Sequence, residues 1–256
     1  HTVKRGAYGT LMGQRANFER DGFVAQPSFY GVDELLAIED ALRRFIAERI
    51  SGLPAEHVFY EDKSNLSTLK QIQQLHKYER FFEELMNDKP KQLAEELLGE
   101  AVIGKNLQYF NKPPGTGKAT PVHQDGCYFM LQPSHALTMW LALDVADEEN
   151  GCVRYLAGSH IHGMRPHART QTLGFSQAIS DYDSEADDEI ICLAQPGDLL
   201  AHHALTIHRA DANTSATRSR RALGFIFYGE SAKEDSVAHA TYQRQLRQEM
   251  IVQGRI

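Results

Sequence analysis

The stretch Thr120-Pro121-Val122-His123-Gln124-Asp125-Gly126 places an imidazole and a carboxylate two residues apart. On an extended strand such a pair leaves the same face. With one more imidazole the set becomes two neutral nitrogens and a carboxylate oxygen, a facial triad. It occupies one side of an octahedral Fe(II) and leaves positions open for a substrate and O2. His208, in Leu205-Thr206-Ile207-His208-Arg209-Ala210, is the candidate third donor, and His202 and His203 compete with it. On an unbroken strand His202 shares the parity of His208 and His203 does not. Alone, His-x-Asp is weak evidence, and the plainer reading is an exposed histidine and an aspartate capping a turn before Gly126. Context adds weight, because the pair follows a Pro/Gly loop at the start of a strand-rich region, where a barrel rim would lie. Downstream of His208 come Asn213, Ser215 and the cluster Arg218, Arg220 and Arg221. A dicarboxylate held by a metal through one end needs a cation at the other, and arginine offers a bidentate, charge-assisted pair. Strand parity sends Arg220 and Arg221 to opposite faces, so only one of those two can point inward.

The elements that must position these groups fall into two parts. Asp33 to Ile50 carries apolar residues at near-helical spacing and is followed by Gly52 and Pro54, as a helix stop requires. Leu69 to Met86 reads as a second helix, and Lys91 to Leu98 as a third, closed by Gly99. The first seventeen residues read as an arm, and Phe18 to Val24 as a helix end running into a strand. After Gly99 the period changes. Ala101 to Asn111 is strand-like. Leu137 to Asp144 alternates, with Leu137, Met139, Leu141 and Leu143 on one face and Thr138, Trp140, Ala142 and Asp144 on the other. Further strands are expected over 152–156, 190–193, 199–203 and 220–228. The segment 161–189, ending in an acidic run, reads either as a functional loop or lid or as a solvated surface loop. The region beyond Lys233 is polar, with no decisive pattern. Helices first and then many short strands predict a mainly β chain with N-terminal helices, a jelly roll (double-stranded β-helix) whose mouth can hold a metal. A single domain is expected, with a helical part at 18–98, a jelly-roll core at 100–228 and a polar tail at 231–256.

Composition excludes several classes. At 256 residues, 42% hydrophobic and 24% charged, the chain is of ordinary globular make-up. A net charge of −7 argues against nucleic acid as the main partner. No apolar run approaches the ~20 residues of a membrane helix. No signal-peptide pattern is visible, which points to a cytoplasmic location. The three cysteines, Cys127, Cys152 and Cys192, fit neither a zinc knuckle nor a disulfide framework and read as small buried hydrophobes.

His123-Gln124-Asp125, Met139-Trp140-Leu141-Ala142-Leu143, Asn150-Gly151-Cys152, Leu156-Ala157-Gly158-Ser159-His160, Pro196-Gly197-Asp198, His208 with Asn213, and Arg220-Arg221-Ala222-Leu223 follow in that order. Together they resemble the phytanoyl-CoA dioxygenase family of Fe(II)- and 2-oxoglutarate-dependent oxygenases, from about Phe18 to Tyr228. The resemblance implies iron ligands at His123, Asp125 and His208 and a 2-oxoglutarate-clamping arginine at Arg220. The spacing from His208 is one residue longer than the family's, which keeps Arg218 as a rival and Arg221 as a weaker one. Trp140 matches a family tryptophan near the cosubstrate, although a core aromatic is an equally good reading. Lys70, in Leu69-Lys70-Gln71-Ile72-Gln73, and Gln108, ahead of Asn111-Lys112-Pro113-Pro114, match positions lining the same pocket; Lys70 also reads as a solvated helix residue. A serine usual two residues after the distal histidine is Ala210 here, and Thr138 is a candidate to supply its hydrogen bond.

The resemblance implies hydroxylation of an unactivated C–H bond in a small molecule. Fe(II), 2-oxoglutarate and O2 would be consumed or bound, succinate and CO2 released, and ascorbate would serve as reductant in vitro. Asp125 argues against the related halogenases, which replace that carboxylate with a small residue. A metal-binding cupin-type isomerase or ligand-binding module without oxygenase activity is the alternative. Substrate contacts are expected from Tyr109, Phe129 and Met130 or, for an anion, from His160, His162 and Arg165.

Overall fold

The computed structural model describes residues 13–183 and 188–255. α1 (Gln14–Asp21) ends on Gly22, whose φ of 79° makes the left-handed turn into β1 (Phe23–Gln26). α2 (Val32–Glu48) starts where the Glu34 carboxylate accepts the Gly31 N–H, and buries Ile38, Leu42 and Phe45 along one stripe. β2 (Val58–Tyr60) and β3 (Leu69–Ile72) come next, then α3 (Leu75–Tyr78), α4 (Arg80–Asn87) and α5 (Lys89–Leu98), which closes on Gly99 in the left-handed region. The strand-rich part runs through β4 (Val102–Lys112), β5 (Thr120–His123), a single turn of helix α6 (Gly126–Phe129), β6 (Leu131–Gln132), β7 (Ala136–Ala142) and β8 (Val153–Leu156). It continues with β9 (His167–Thr172), β10 (Phe175–Ile179), β11 (Glu189–Cys192), β12 (Leu199–His203), β13 (His208–Ala210), β14 (Arg220–Gly229) and β15 (Lys233–Glu234), and the chain finishes on α7 (Ser236–Val252).

Two antiparallel sheets make the jelly roll. The larger has the order β1-β12-β7-β14-β4-β3-β2 and the smaller β11-β8-β13-β5. The larger sheet is buried on both faces, which its alternation explains. Leu137, Met139 and Leu141 of β7 join Leu223, Phe225 and Phe227 of β14 against the helices, packing with Phe45, Phe82 and Leu97. Trp140, Ala142 and Ala222 turn the other way, against Val153, Tyr155 and Cys192 around the smaller sheet. Cys152 and Cys192 are buried and Cys127 only partly so, all with free thiols.

Five expectations are corrected. Leu69 to Met86 is not one helix: its first four residues form β3, buried throughout and paired with both β2 and β4. Sheet pairing overrides a helix-compatible spacing there, and Gln74 at φ 63° separates the strand from α3. The segment 161–189 is not irregular, since it holds the β9–β10 hairpin, while residues 184–187 of its acidic run lie outside the described residues. The polar tail is a 17-residue helix whose N-terminus is capped by the Asp235 carboxylate accepting from the Ala238 N–H at 2.9 Å. His123 and Asp125 do not share a strand: β5 ends at His123, and Asp125 has helical dihedrals (φ −58°, ψ −31°) at the start of α6. Of the expected N-terminal arm, residues 1–12 lie outside the described residues and Gln14 already begins α1.

Candidate metal centre and cosubstrate pocket

His123 on β5 and His208 on β13 face each other in register, and their rings lie 4.2 Å apart. Each Nδ1 meets a backbone carbonyl, that of Pro121 at 2.7 Å and that of Thr206 at 2.9 Å. A carbonyl only accepts, so each Nδ1 carries the hydrogen and each Nε2 presents a lone pair. Those two Nε2 atoms lie 3.3 Å and 3.7 Å from Oδ1 of Asp125. The donor atoms of His123, Asp125 and His208 all fall within 4.8 Å of one another, and no other such group of His, Cys, Asp or Glu occurs among the described residues. Burial, with His123 and His202 close by, pushes the His208 imidazole well below its ordinary range, so it is neutral. Burial alone would raise the Asp125 carboxyl. The His202 Nε2–H and the Thr138 hydroxyl, both donating to Oδ2, oppose that and favour the ionised form. Two neutral nitrogens and one anionic oxygen suit a divalent ion of iron's preferences.

His202, the parity rival, is not on a continuous strand with His208. It lies on β12 in the larger sheet, with Nε2 3.1 Å from Asp125 Oδ2 and Nδ1 2.9 Å from the Tyr155 hydroxyl. His203 faces away, towards Phe18 and His160.

The three donors open into a cavity of about 940 Å³ whose walls include Arg220, Trp140, Gln108, Lys70 and Thr138. Arg220, the first residue of β14, is 5% exposed and lies over the Trp140 ring at 5.3 Å. Its Nε has no hydrogen-bond partner, and no carboxylate among the described residues pairs with it. Burial lowers its pKa to about 10. An unpaired buried guanidinium is costly, so its position in the cavity fits an anion that the chain itself does not provide. The rivals are committed elsewhere. Arg218 is held by Asp147 at 2.8 Å and by Glu149, and Arg221 by Asp144 at 2.7 Å and Glu39 at 2.9 Å. Trp140 satisfies both of its readings, belonging to the inter-sheet core and lining the cavity.

Lys70 is buried on β3 rather than solvated on a helix, and pairs with Glu61 at 3.0 Å. Gln108 accepts a hydrogen bond from the Gln71 amide at 2.9 Å. The Thr138 hydroxyl donates to Asp125 Oδ2 at 2.5 Å, so it serves the carboxylate. Among the expected substrate contacts, Phe129 lines the cavity. Tyr109 packs among the helices, and Met130, His160, His162 and Arg165 lie outside the lining.

Several contributors gave no sequence signal. Gln124, between the two motif residues, is fully buried; its amide donates to the carbonyls of Gly163 and Leu205 and its oxygen accepts from the Arg165 N–H. Phe175 of the hairpin brings its ring within 5.2 Å of His123, and Tyr128 ties α6 to the Gln177 carbonyl. Helix α7 closes the outer wall, with Arg169 on the hairpin paired to Glu249 at 3.0 Å. Polar faces turned to a cavity look like solvent faces in a sequence.

Residues 18–222 match the family model described as phytanoyl-CoA dioxygenase (PhyH). The chain is 26% identical over 216 residues to the peroxisomal phytanoyl-CoA dioxygenase of Bos taurus, covering 79% of this chain and 64% of that protein's length. It is 30% identical over 211 residues to phytanoyl-CoA dioxygenase domain-containing protein 1 of Danio rerio, covering 78% and 70%. Among solved structures it resembles EvdO2 of Micromonospora carbonacea var. aurantiaca complexed with 2-oxoglutarate, with a TM-score of 0.70, 25% identity and coverage of 90% and 96%.

Proposed function

This chain belongs to the phytanoyl-CoA dioxygenase family, whose enzymes use Fe(II), 2-oxoglutarate and O2, and on that premise we propose that it hydroxylates an unactivated C–H bond of a small molecule, releasing succinate and CO2. The observation that carries this reading is Arg220, a buried guanidinium without an anion in the cavity into which His123, Asp125 and His208 converge. A metal-binding module with no dicarboxylate cosubstrate has no use for such a cation.

His123, Asp125 and His208 would hold the metal, with the Nε2 lone pairs of the two histidines and Oδ1 of the carboxylate as the available donors. When bound, iron with 2-oxoglutarate and O2 supplies the oxidising power for the C–H bond. Arg220 takes the cosubstrate's distal carboxylate, which replaces the missing counter-charge, while Trp140 backs the guanidinium and restricts its orientation. Lys70 and Gln108 line the same cavity, and Glu61 keeps Lys70 in place. Phe175 and Tyr128 stand beside His123, and Phe110 stacks on Phe175, which gives the reacting end an aromatic wall. The carboxylate of Asp125 fills the position that a halide would need, which supports hydroxylation over halogenation.

The test pairs Fe(II), ascorbate and 2-oxoglutarate with a collection of small molecules, reading succinate and product mass under 18O2. The expected product is heavier by one labelled oxygen. A substrate-dependent product without that oxygen, such as an epimer or a ring-closed compound, would overturn the hydroxylase assignment.

A further inference from the structure

The fold treats the two oxygens of Asp125 differently. Oδ1 faces Nε2 of His123 and of His208 at 3.3 Å and 3.7 Å. Oδ2 accepts two hydrogen bonds, from the Thr138 hydroxyl at 2.5 Å and from His202 Nε2 at 3.1 Å. The proton inventory fixes the direction of the second. An ionised carboxylate only accepts, so His202 carries its hydrogen on Nε2. Its Nδ1 is then bare and takes the hydrogen of the buried Tyr155 hydroxyl, 2.9 Å away. His123 and His208 have the opposite tautomer because a carbonyl faces each Nδ1. What lies opposite Nδ1 thus sorts three neighbouring histidines into two with an inward lone pair and one with an inward N–H.

The supports of this arrangement are rigid. Thr138 and His202 are register partners on β7 and β12, and Tyr155 is the register partner of His208 on β8 and β13. Phe23, opposite His202 on β1, stacks on the Tyr155 ring at 4.5 Å with an interplanar angle of 18°. The residues that hold Oδ2 are therefore anchored in the two sheets that carry the donors.

We propose that Thr138, His202 and Tyr155 are positioning residues that confine Asp125 to coordination through Oδ1 alone. The proposal rests on the reading of His123, Asp125 and His208 as metal ligands. A carboxylate bound to a metal can take it through one oxygen or two. Released from its two donors, Oδ2 would be free to reach the ion and take a position that a two-toothed cosubstrate needs. The clamp keeps that position available and holds Oδ1 on target.

Anaerobic titration with Co(II) as the probe, followed by 2-oxoglutarate, tests this in the native protein and in Thr138→Val, His202→Phe, His202→Gln and Tyr155→Phe. Thr138→Val and His202→Phe are expected to weaken Co(II) about 10–100-fold. They should also alter its visible spectrum and lower 2-oxoglutarate affinity by a further factor of about ten. Tyr155→Phe should move the same quantities less, and His202→Gln, which keeps an N–H, should recover part of the loss. Native-like spectra and affinities in folded Thr138→Val and His202→Phe would overturn the proposal. Should His202→Phe fail to fold, Thr138→Val decides alone, since it removes one hydroxyl at constant volume. If the native protein binds Co(II) and the variants match it, only the clamp falls. If the native protein takes up no Co(II), the metal-centre reading falls and the clamp with it.

Discussion

Replacing Arg220 by methionine should make the empty protein more stable and the cosubstrate weaker. The guanidinium is buried with no carboxylate beside it, and burial lowers its pKa to about 10. That depression corresponds to about 3 kcal/mol of unfavourable burial. For a base whose folded pKa is lowered, the cost is complete below the folded value and fades as pH rises through it, so at pH 7 it is present in full. Methionine keeps the volume against Trp140 and removes the charge, but forfeits a cation–π contact of about 1 kcal/mol. The net gain is about 2 kcal/mol, or about 4–8 °C in Tm for a chain of this size. In the native protein with Mn(II), 2-oxoglutarate at about 100 times its Kd should add about 2.7 kcal/mol. Loss of the charge-assisted pair costs about 2–5 kcal/mol, so that added stability should vanish in the variant. Thermal unfolding with Mn(II), with and without 2-oxoglutarate under anaerobic conditions, reads both effects. A variant less stable than native when empty would refute the buried-charge reasoning, and an intact 2-oxoglutarate response would refute the role of Arg220.

Other outcomes follow from the same geometry. His123→Ala or Asp125→Ala should abolish conversion of 2-oxoglutarate to succinate while leaving far-ultraviolet circular dichroism unchanged. Glu61→Gln leaves Lys70 buried without its 3.0 Å partner and should cost about 3–5 kcal/mol in urea unfolding. The double variant Glu61→Leu/Lys70→Met should recover most of that loss. Burial pushes the pKa of His203 down to about 4, and its Nδ1 accepts the Leu205 N–H at 3.1 Å in the loop leading to His208. A buried neutral imidazole stabilises fully above the unfolded value of about 6.5 and loses that contribution as pH falls towards 4. The protein should therefore lose about 2.5 kcal/mol between pH 6.5 and 4, and His203→Gln, which keeps an acceptor, should lose less.

The strands that carry the core were legible because their alternation is strong. Leu137 to Leu143 and Arg220 to Tyr228 present apolar residues to both sides of the larger sheet. His123, His208 and Arg220 were legible as an ordered set, and parity correctly separated Arg220 from Arg221. Parity misled where it assumed continuity: β5 stops at His123, and β12 and β13 belong to different sheets. Asp125 meets His123 because a turn of helix redirects the chain. The remaining misses share a cause. β3 with its buried Lys70 and Gln71, the β9–β10 hairpin and α7 all turn polar residues to one cavity, while Lys70 and Gln108 were expected there only from the family resemblance. Their polarity matches that of a solvated loop or helix, and only tertiary packing distinguishes the two. Thr138 was legible as an inward-facing residue, while its hydroxyl's commitment to Asp125 depends on where α6 begins.

The most direct measurement is succinate formation from 2-oxoglutarate by purified protein, with Fe(II) and ascorbate present or withheld. Conversion should require the iron and disappear in His208→Ala, whose Nε2 completes the donor set. Conversion that persists at the native rate in His208→Ala, or a native protein that makes no succinate from 2-oxoglutarate with any substrate tried, would contradict the assignment of this site.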